Sequence, residues 1–202
     1  MAFALLGQGS SLIYAEDMPG KMDAVAPAEM SPEDQEMMAK WQEFSTPNEN
    51  HKALDTLAGN WNHTVKWWMK PDTEPEISTG TGTAEWIMGG RYLQQKVSGM
   101  SMGQPFEGLG IIGYDNANKE YVSIWLDNMG TGLMQSTAQY DTAAKTFAEK
   151  GSHSCFLAED GHRKYRATTK IIDNDNYVYE MFSTDEAGKE FRAMEITYTR
   201  TK

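Results

Sequence analysis

From Trp61 onward the chain alternates. Trp61, His63, Val65, Trp67 and Met69 share one face of an extended segment, and Asn62, Thr64, Lys66, Trp68 and Lys70 the other. That two-residue period predicts a half-buried strand over residues 61–70. Similar segments follow at 77–88, 91–98, 106–114, 121–126, 133–140, 146–152, 165–172, 177–183 and 191–199. Turn chemistry separates them: Gly89-Gly90, residues 115–119, Asp141-Thr142, Glu159-Asp160-Gly161, residues 173–176 and residues 185–188. Gly80 and Gly82 fall inside a strand, where glycine marks a bulge or a sharp bend. The pattern predicts an all-β fold, a single antiparallel meander β-barrel of about ten strands with short N-terminal helices.

Upstream the period changes. Ser31-Pro32-Glu33-Asp34 reads as a helix start: Ser31 caps, Pro32 suits the first turn and the acids suit the positive helix end. Met37, Trp41 and Phe44 form an apolar stripe expected to pack on the barrel. Pro47 ends that helix, and Asn48 caps a second, short one carrying Leu54 and Leu57, closed by Gly59. Residues 1–30 have linker composition and are read as a leader outside the packed domain, which then spans 31–202. Phe3-Ala4-Leu5-Leu6 and Ile13-Tyr14-Ala15 resemble parts of a secretory signal without its basic start, the first Lys or Arg being Lys21. The expectation is a truncated signal peptide and a periplasmic or secreted protein, with a disordered tail as the alternative.

Composition narrows the function classes. A chain of 202 residues suits one domain with a sizeable core. A net charge of −11 disfavours nucleic acid and anionic membrane as partners, which need basic patches. No apolar run reaches the roughly 18 residues of a membrane span. Cys155 stands alone, which excludes an intrachain disulfide and a cysteine-based metal site.

Several stretches carry a family resemblance: Gly59-Asn60-Trp61, Gly89-Gly90-Arg91-Tyr92-Leu93-Gln94-Gln95, Pro105-Phe106-Glu107-Gly108, Gly113-Tyr114-Asp115-Asn116 and Trp125-Leu126-Asp127-Asn128-Met129. With His51-Lys52-Ala53-Leu54 and Met194-Glu195-Ile196-Thr197-Tyr198-Thr199 they cover about residues 49–200. The chain resembles the bacterial domain-of-unknown-function family 1579. The resemblance implies a calycin-type, lipocalin-like barrel, a fold whose larger members bind apolar ligands. It implies no reaction.

Candidate chemistry is sparse. Gly80-Thr81-Gly82-Thr83 lacks the helix and lysine of a phosphate loop, because Ala84 to Met88 continue as strand. His51, His63, His153 and His162 show no helical i, i+4 pair. The last strand has no histidine of the sort a nitrobindin-type haem barrel would want. No metal and no cofactor is therefore expected. If Tyr114 opposes Tyr121, then Gly110 opposes Trp125 and Gly108 opposes Asp127. That mixed face is read as the lumen, and the Leu109, Ile111, Val122, Ile124 and Leu126 face as covered by a helix or a partner. Carboxylates at Glu107, Asp127, Glu180 and Glu195 are candidates for a desolvated acid–base group. The ligand-binding set is Trp67, Glu107, Tyr114, Trp125, Asp127, Asn128, Met181 and Glu195. The leading expectation is a binder of a small, largely apolar molecule. The alternatives are an isomerase, cyclase or hydrolase using a lumen carboxylate, and a filled barrel that homo-oligomerises through Trp68 and methionine-rich surface.

Overall fold

A computed structural model of the chain describes residues 30–155, 158–185 and 187–201. They fall into two compact units, one ending at Met38 and one beginning at Ala39. Apart from Met30, the leader and signal-peptide reading of residues 1–30 lies outside the described residues. Helix α1 (Pro32–Ser45) runs across the division. In the first unit Ser31 caps it, its Oγ accepting the N–H of Asp34 at 3.1 Å and donating to the Asp34 carboxylate at 2.6 Å.

The second unit continues with α2 (Glu49–Lys52) and a 3₁₀ turn (Ala53–Leu57). Ten strands follow: β1 (Gly59–Trp67), β2 (Glu76–Ile87), β3 (Tyr92–Ser101), β4 (Gln104–Asp115), β5 (Glu120–Asp127), β6 (Met134–Asp141), β7 (Thr146–Ser154), β8 (His162–Ile171), β9 (Asn176–Thr184) and β10 (Glu190–Arg200). Each pairs antiparallel with its neighbours in sequence, and β10 pairs with β1, so the barrel is closed. No described helix is long and apolar enough to cross a membrane.

Turn residues set the strand ends. β3 runs on to Ser101 because Met102 and Gly103, both at positive φ (47° and 74°), make a two-residue hairpin. β1 stops at Trp67, short of its expected end. A bulge in β10 between Arg192 and Met194 lets the Trp68 N–H reach the Ala193 carbonyl at 2.8 Å. Aspartates open other loops: Asp115 Oδ1 accepts the N–H of Ala117 at 2.8 Å, and Asp141 Oδ1 those of Ala143 and Ala144 at 2.9 Å.

One end of the barrel is packed shut. Leu54 and Leu57 enter between the strands and meet Trp61, Ala84, Leu93, Tyr121, Phe147, Ile171 and Tyr177. Trp61 donates its indole N–H to the Leu57 carbonyl at 2.9 Å, and the Arg200 guanidinium lies 4.1 Å over its ring. Arg200 also donates to the carbonyls of Ala58 (2.6 Å) and Thr56 (3.0 Å). This explains Gly59-Asn60-Trp61 physically. Gly59 sits at φ +119°, and a Cβ there would strike the Arg200 guanidinium.

Within the second unit, Trp41 and Phe44 of the α1 stripe do not pack as expected. No residue of the helix is buried; Trp41 and Phe44 are 56 % and 50 % exposed and contact each other at 5.6 Å. The helix end is held by polar groups instead. Asn116, buried at the β4–β5 hairpin, donates to the carbonyls of Glu43 (3.2 Å), Phe44 (2.9 Å) and Thr46 (2.9 Å), and accepts from Asn48 Nδ2 at 2.7 Å.

Candidate functional site

Alternation along a closed barrel sends every second side chain inward. At the closed end those side chains fill the space. Toward the other end they do not, and a cavity of about 350 Å³ remains. The β4–β5 register places Gly110 opposite Trp125, Gly108 opposite Asp127 and Tyr114 opposite Tyr121. This face is the lumen wall. The indole of Trp125 lies along the two glycines, stacks with Phe106 at 6.5 Å, and donates to Asp127 Oδ2 at 2.9 Å. Asp127 Oδ1 accepts the N–H of Met129 at 3.0 Å. Val65, Val97, Ile112 and Ile196 supply aliphatic wall, and Met129, Met134, Met181 and Met194 surround the mouth.

Four of the expected site residues, Trp67, Trp125, Asp127 and Met181, line this cavity together. The other four do not. Tyr114 stands deeper, packed edge-on to Tyr121 (4.9 Å) and His51 (5.8 Å) above the plug. Asn128 is spent on the backbone, accepting the Glu107 N–H and donating to the Pro105 carbonyl, each at 3.0 Å. Glu107 and Glu195 fall on the outward positions of β4 and β10, one residue out of phase with Phe106 and Met194. Glu195 joins an external ion network with Lys66 (2.8 Å) and Arg192 (2.6 Å), and Arg192 also binds Glu180 at 2.8 Å. Arg192 covers Trp68 at 4.7 Å, so that ring is part-buried rather than an exposed interface residue.

Apart from His63, which the sequence places on the face of Trp61, Val65 and Trp67, the polar residues of the inner wall went unseen in the sequence. Glu149 on β7 accepts the Tyr165 hydroxyl at 2.8 Å. Tyr177 and Tyr179 on β9, Tyr198 on β10 and His63 on β1 complete a polar wall with Gln95. Tyr177 stacks on Tyr198 at 4.2 Å, and His63 lies 5.6 Å from Tyr198. Burial raises the pKa of Tyr165, helped by the charge of Glu149, and burial likewise raises Tyr177, Tyr179 and Tyr198. These phenols stay protonated near neutral pH. Burial lowers the pKa of His63, which favours the neutral ring. A signal was present: Tyr177 and Tyr179 alternate with Val178 and Glu180, and Glu149 stands two residues from Phe147, which places each set on one strand face.

The Gly80 motif also resolves. Gly80 opposes His63 in the β1–β2 register, and a Cβ on it would come within 2.5 Å of His63 Nε2. The glycine makes room for an imidazole, with β2 continuing as strand beyond it.

Comparison with known proteins gives fold and family. The family described as "Protein of unknown function (DUF1579)" matches residues 46–200. The crystal structure of Rv2717c from M. tuberculosis is similar at 14% identity, with 78% of this chain and 100% of that chain covered and a TM-score of 0.56. A de novo designed fluorescence-activating β-barrel is similar at 16% identity, with 74% and 97% covered and a TM-score of 0.41. No curated protein matches the chain.

Proposed function

The chain belongs to the DUF1579 family of proteins of unknown function, and from that premise we propose that it binds a small, largely apolar molecule in the barrel lumen. One observation carries the reading: a space of about 350 Å³, left open beside Trp67, Val97, Ile112, Trp125 and Ile196. Sites for small molecules begin near about 300 Å³ and combine apolar walls with a few polar anchors. Methionines around the entrance suit ligands of variable outline, because a thioether chain adjusts at little cost.

Two experiments test the proposal. Native mass spectrometry of the purified full chain is expected to show a co-purifying small molecule. Nile red, a neutral apolar dye, is expected to bind saturably and to quench indole emission, more weakly in Trp125→Ala. No bound mass, together with non-saturable dye uptake unaffected by Trp125→Ala, would refute it. An enzyme using Asp127 as its base is the competing reading. Trp125 Nε1 and the Met129 N–H each donate to one carboxylate oxygen of Asp127, which fixes its orientation at the cavity wall. Asp127→Asn separates the two: a binder of neutral molecules changes affinity by no more than about tenfold, whereas loss of a catalytic base lowers turnover by about a hundredfold or more.

A further inference from the structure

We propose that the lumen selects its ligand by charge, and that the molecule it takes is an apolar amine, entering with its protonated nitrogen toward Glu149. This rests on the reading of the lumen as a binding site. Three carboxylates line the cavity: Glu149 on the inner wall, and Asp127 and Glu76 toward the mouth. Among the described residues no Lys or Arg lines it. Each acid, among the described residues, has only neutral donors as partners: Tyr165 for Glu149, Trp125 and the Met129 N–H for Asp127, and the Met102 N–H for Glu76. Arg163 shares the inward phase of β8 with Tyr165 but is not a cavity wall. Arg200, whose charge is felt at Tyr177, is committed to the carbonyls of Thr56, Ala58 and Asn174.

Glu149 and Asp127 are half-buried and Glu76 is exposed, so a cation brought by a ligand pairs with acids only partly screened from water. An anionic ligand such as a fatty acid would add repulsion. The wall has a second feature, which points to a ligand with a polar head. His63 Nδ1 and the Tyr177 hydroxyl lack hydrogen-bond partners although His63 is 6 % and Tyr177 3 % exposed, and both residues line the cavity. Gln95 approaches Tyr177 without completing a hydrogen bond. Buried polar atoms of this kind are ordinarily paired. A phenol both donates and accepts, and a neutral imidazole accepts at one nitrogen only, so these atoms call for a polar group on the ligand and leave its charge to the carboxylates. The surrounding rings of Trp67, Trp125, Tyr165, Tyr179 and Tyr198 offer π faces that attract a cation and repel an anion.

The test is a matched series on the full chain: decylammonium, decanol and decanoate, each below its micelle concentration at pH 7, followed by displacement of Nile red. Decylammonium is expected to bind about tenfold or more tighter than decanol, with decanoate weakest. Glu149→Gln, which keeps an oxygen for the Tyr165 hydroxyl, is expected to bring decylammonium within about threefold of decanol. The wild-type ranking carries the test by itself if the variant does not fold. Decanoate binding as tightly as decylammonium overturns the charge inference and leaves the lumen reading standing. Failure of all three probes to displace the dye removes the lumen reading as well. A preference that disappears at high salt reflects the chain's net charge of −11 and overturns the assignment. A preference kept in Glu149→Gln but lost in Asp127→Asn overturns it too.

Discussion

Gly108→Ala tests the lumen wall most directly. A Cβ built on Gly108 would lie 2.6 Å from Trp125 Cη2 and nearer still to Cζ2, whereas ordinary contact begins at 3.4 Å. The indole would have to retreat by the better part of an ångström. If it stays, the overpacking costs about 1–3 kcal/mol. If it swings into the cavity, it leaves Asp127 Oδ2, its partner at 2.9 Å, and occupies ligand space. Replacing a strand glycine also stabilises by about 0.4–1 kcal/mol through the unfolded chain. Gly110→Ala is the internal control for that term. There the nearest atoms are Trp125 Cε3 at 3.1 Å and Gln95 Oε1 at 3.2 Å, so a shift of a few tenths suffices and the cost stays below about 1 kcal/mol. Urea unfolding should rank Gly108→Ala below Gly110→Ala, with thermal midpoints moving about 2–4 °C per kcal/mol in a chain of this size. Nile red should bind more weakly to Gly108→Ala, with a change in indole emission that is absent in a Trp125→Phe background. Equal stabilities and identical emission for the two alanine variants would refute the placement of the indole over Gly108.

Gly80→Ala should destabilise by about 1–3 kcal/mol, because its methyl meets the Ser98 carbonyl as well as His63 Nε2; a wild-type urea midpoint would contradict the packing. His63 supplies a pH dependence. Burial holds its folded pKa below the ordinary imidazole value of about 6.5, so the unfolded chain takes up the proton first. The contribution of the neutral ring is whole above about pH 6.5 and is lost as pH falls through the lower, folded pKa. Urea midpoints between pH 7 and 5 should fall less steeply in His63→Gln than in the wild type, His51 retaining the remainder; parallel slopes would count against it. Asn116→Ala should cost about 1–3 kcal/mol and open residues 43–48 to limited proteolysis, whereas unchanged cleavage there would show the latch to be dispensable.

The fold was legible because a two-residue period broken by turn chemistry is a local signal. The Gly110–Trp125 pairing followed from one hairpin, and Trp125 and Asp127 from its register. Glu107 and Glu195 were misplaced through phase. Each sits beside apolar residues in sequence, yet in a strand the immediate neighbour faces the opposite way. The α1 stripe misled for another reason: helical spacing of Trp41 and Phe44 says which residues share a face, not that anything covers it. Glu149, His63 and the tyrosines of β8–β10 come together only when the sheet closes, which no window of sequence contains.

That closure has a kinetic consequence. Nine strand pairings join consecutive segments and can zip as hairpins, each closing a short loop. The tenth, β1 with β10, does not: its Lys66–Glu195 bridge joins residues 129 apart, and the Arg200–Ala58 bond residues 142 apart. The loop entropy of the seam falls due before its contacts form, which makes it the natural late and rate-limiting event in folding. Until then β1 and β10 are open edges able to pair with another chain. Lys66 and Arg192 on those edges place charge where a wrong partner would dock. Variants along this seam should therefore alter folding rate and aggregation during refolding more than variants at any single hairpin.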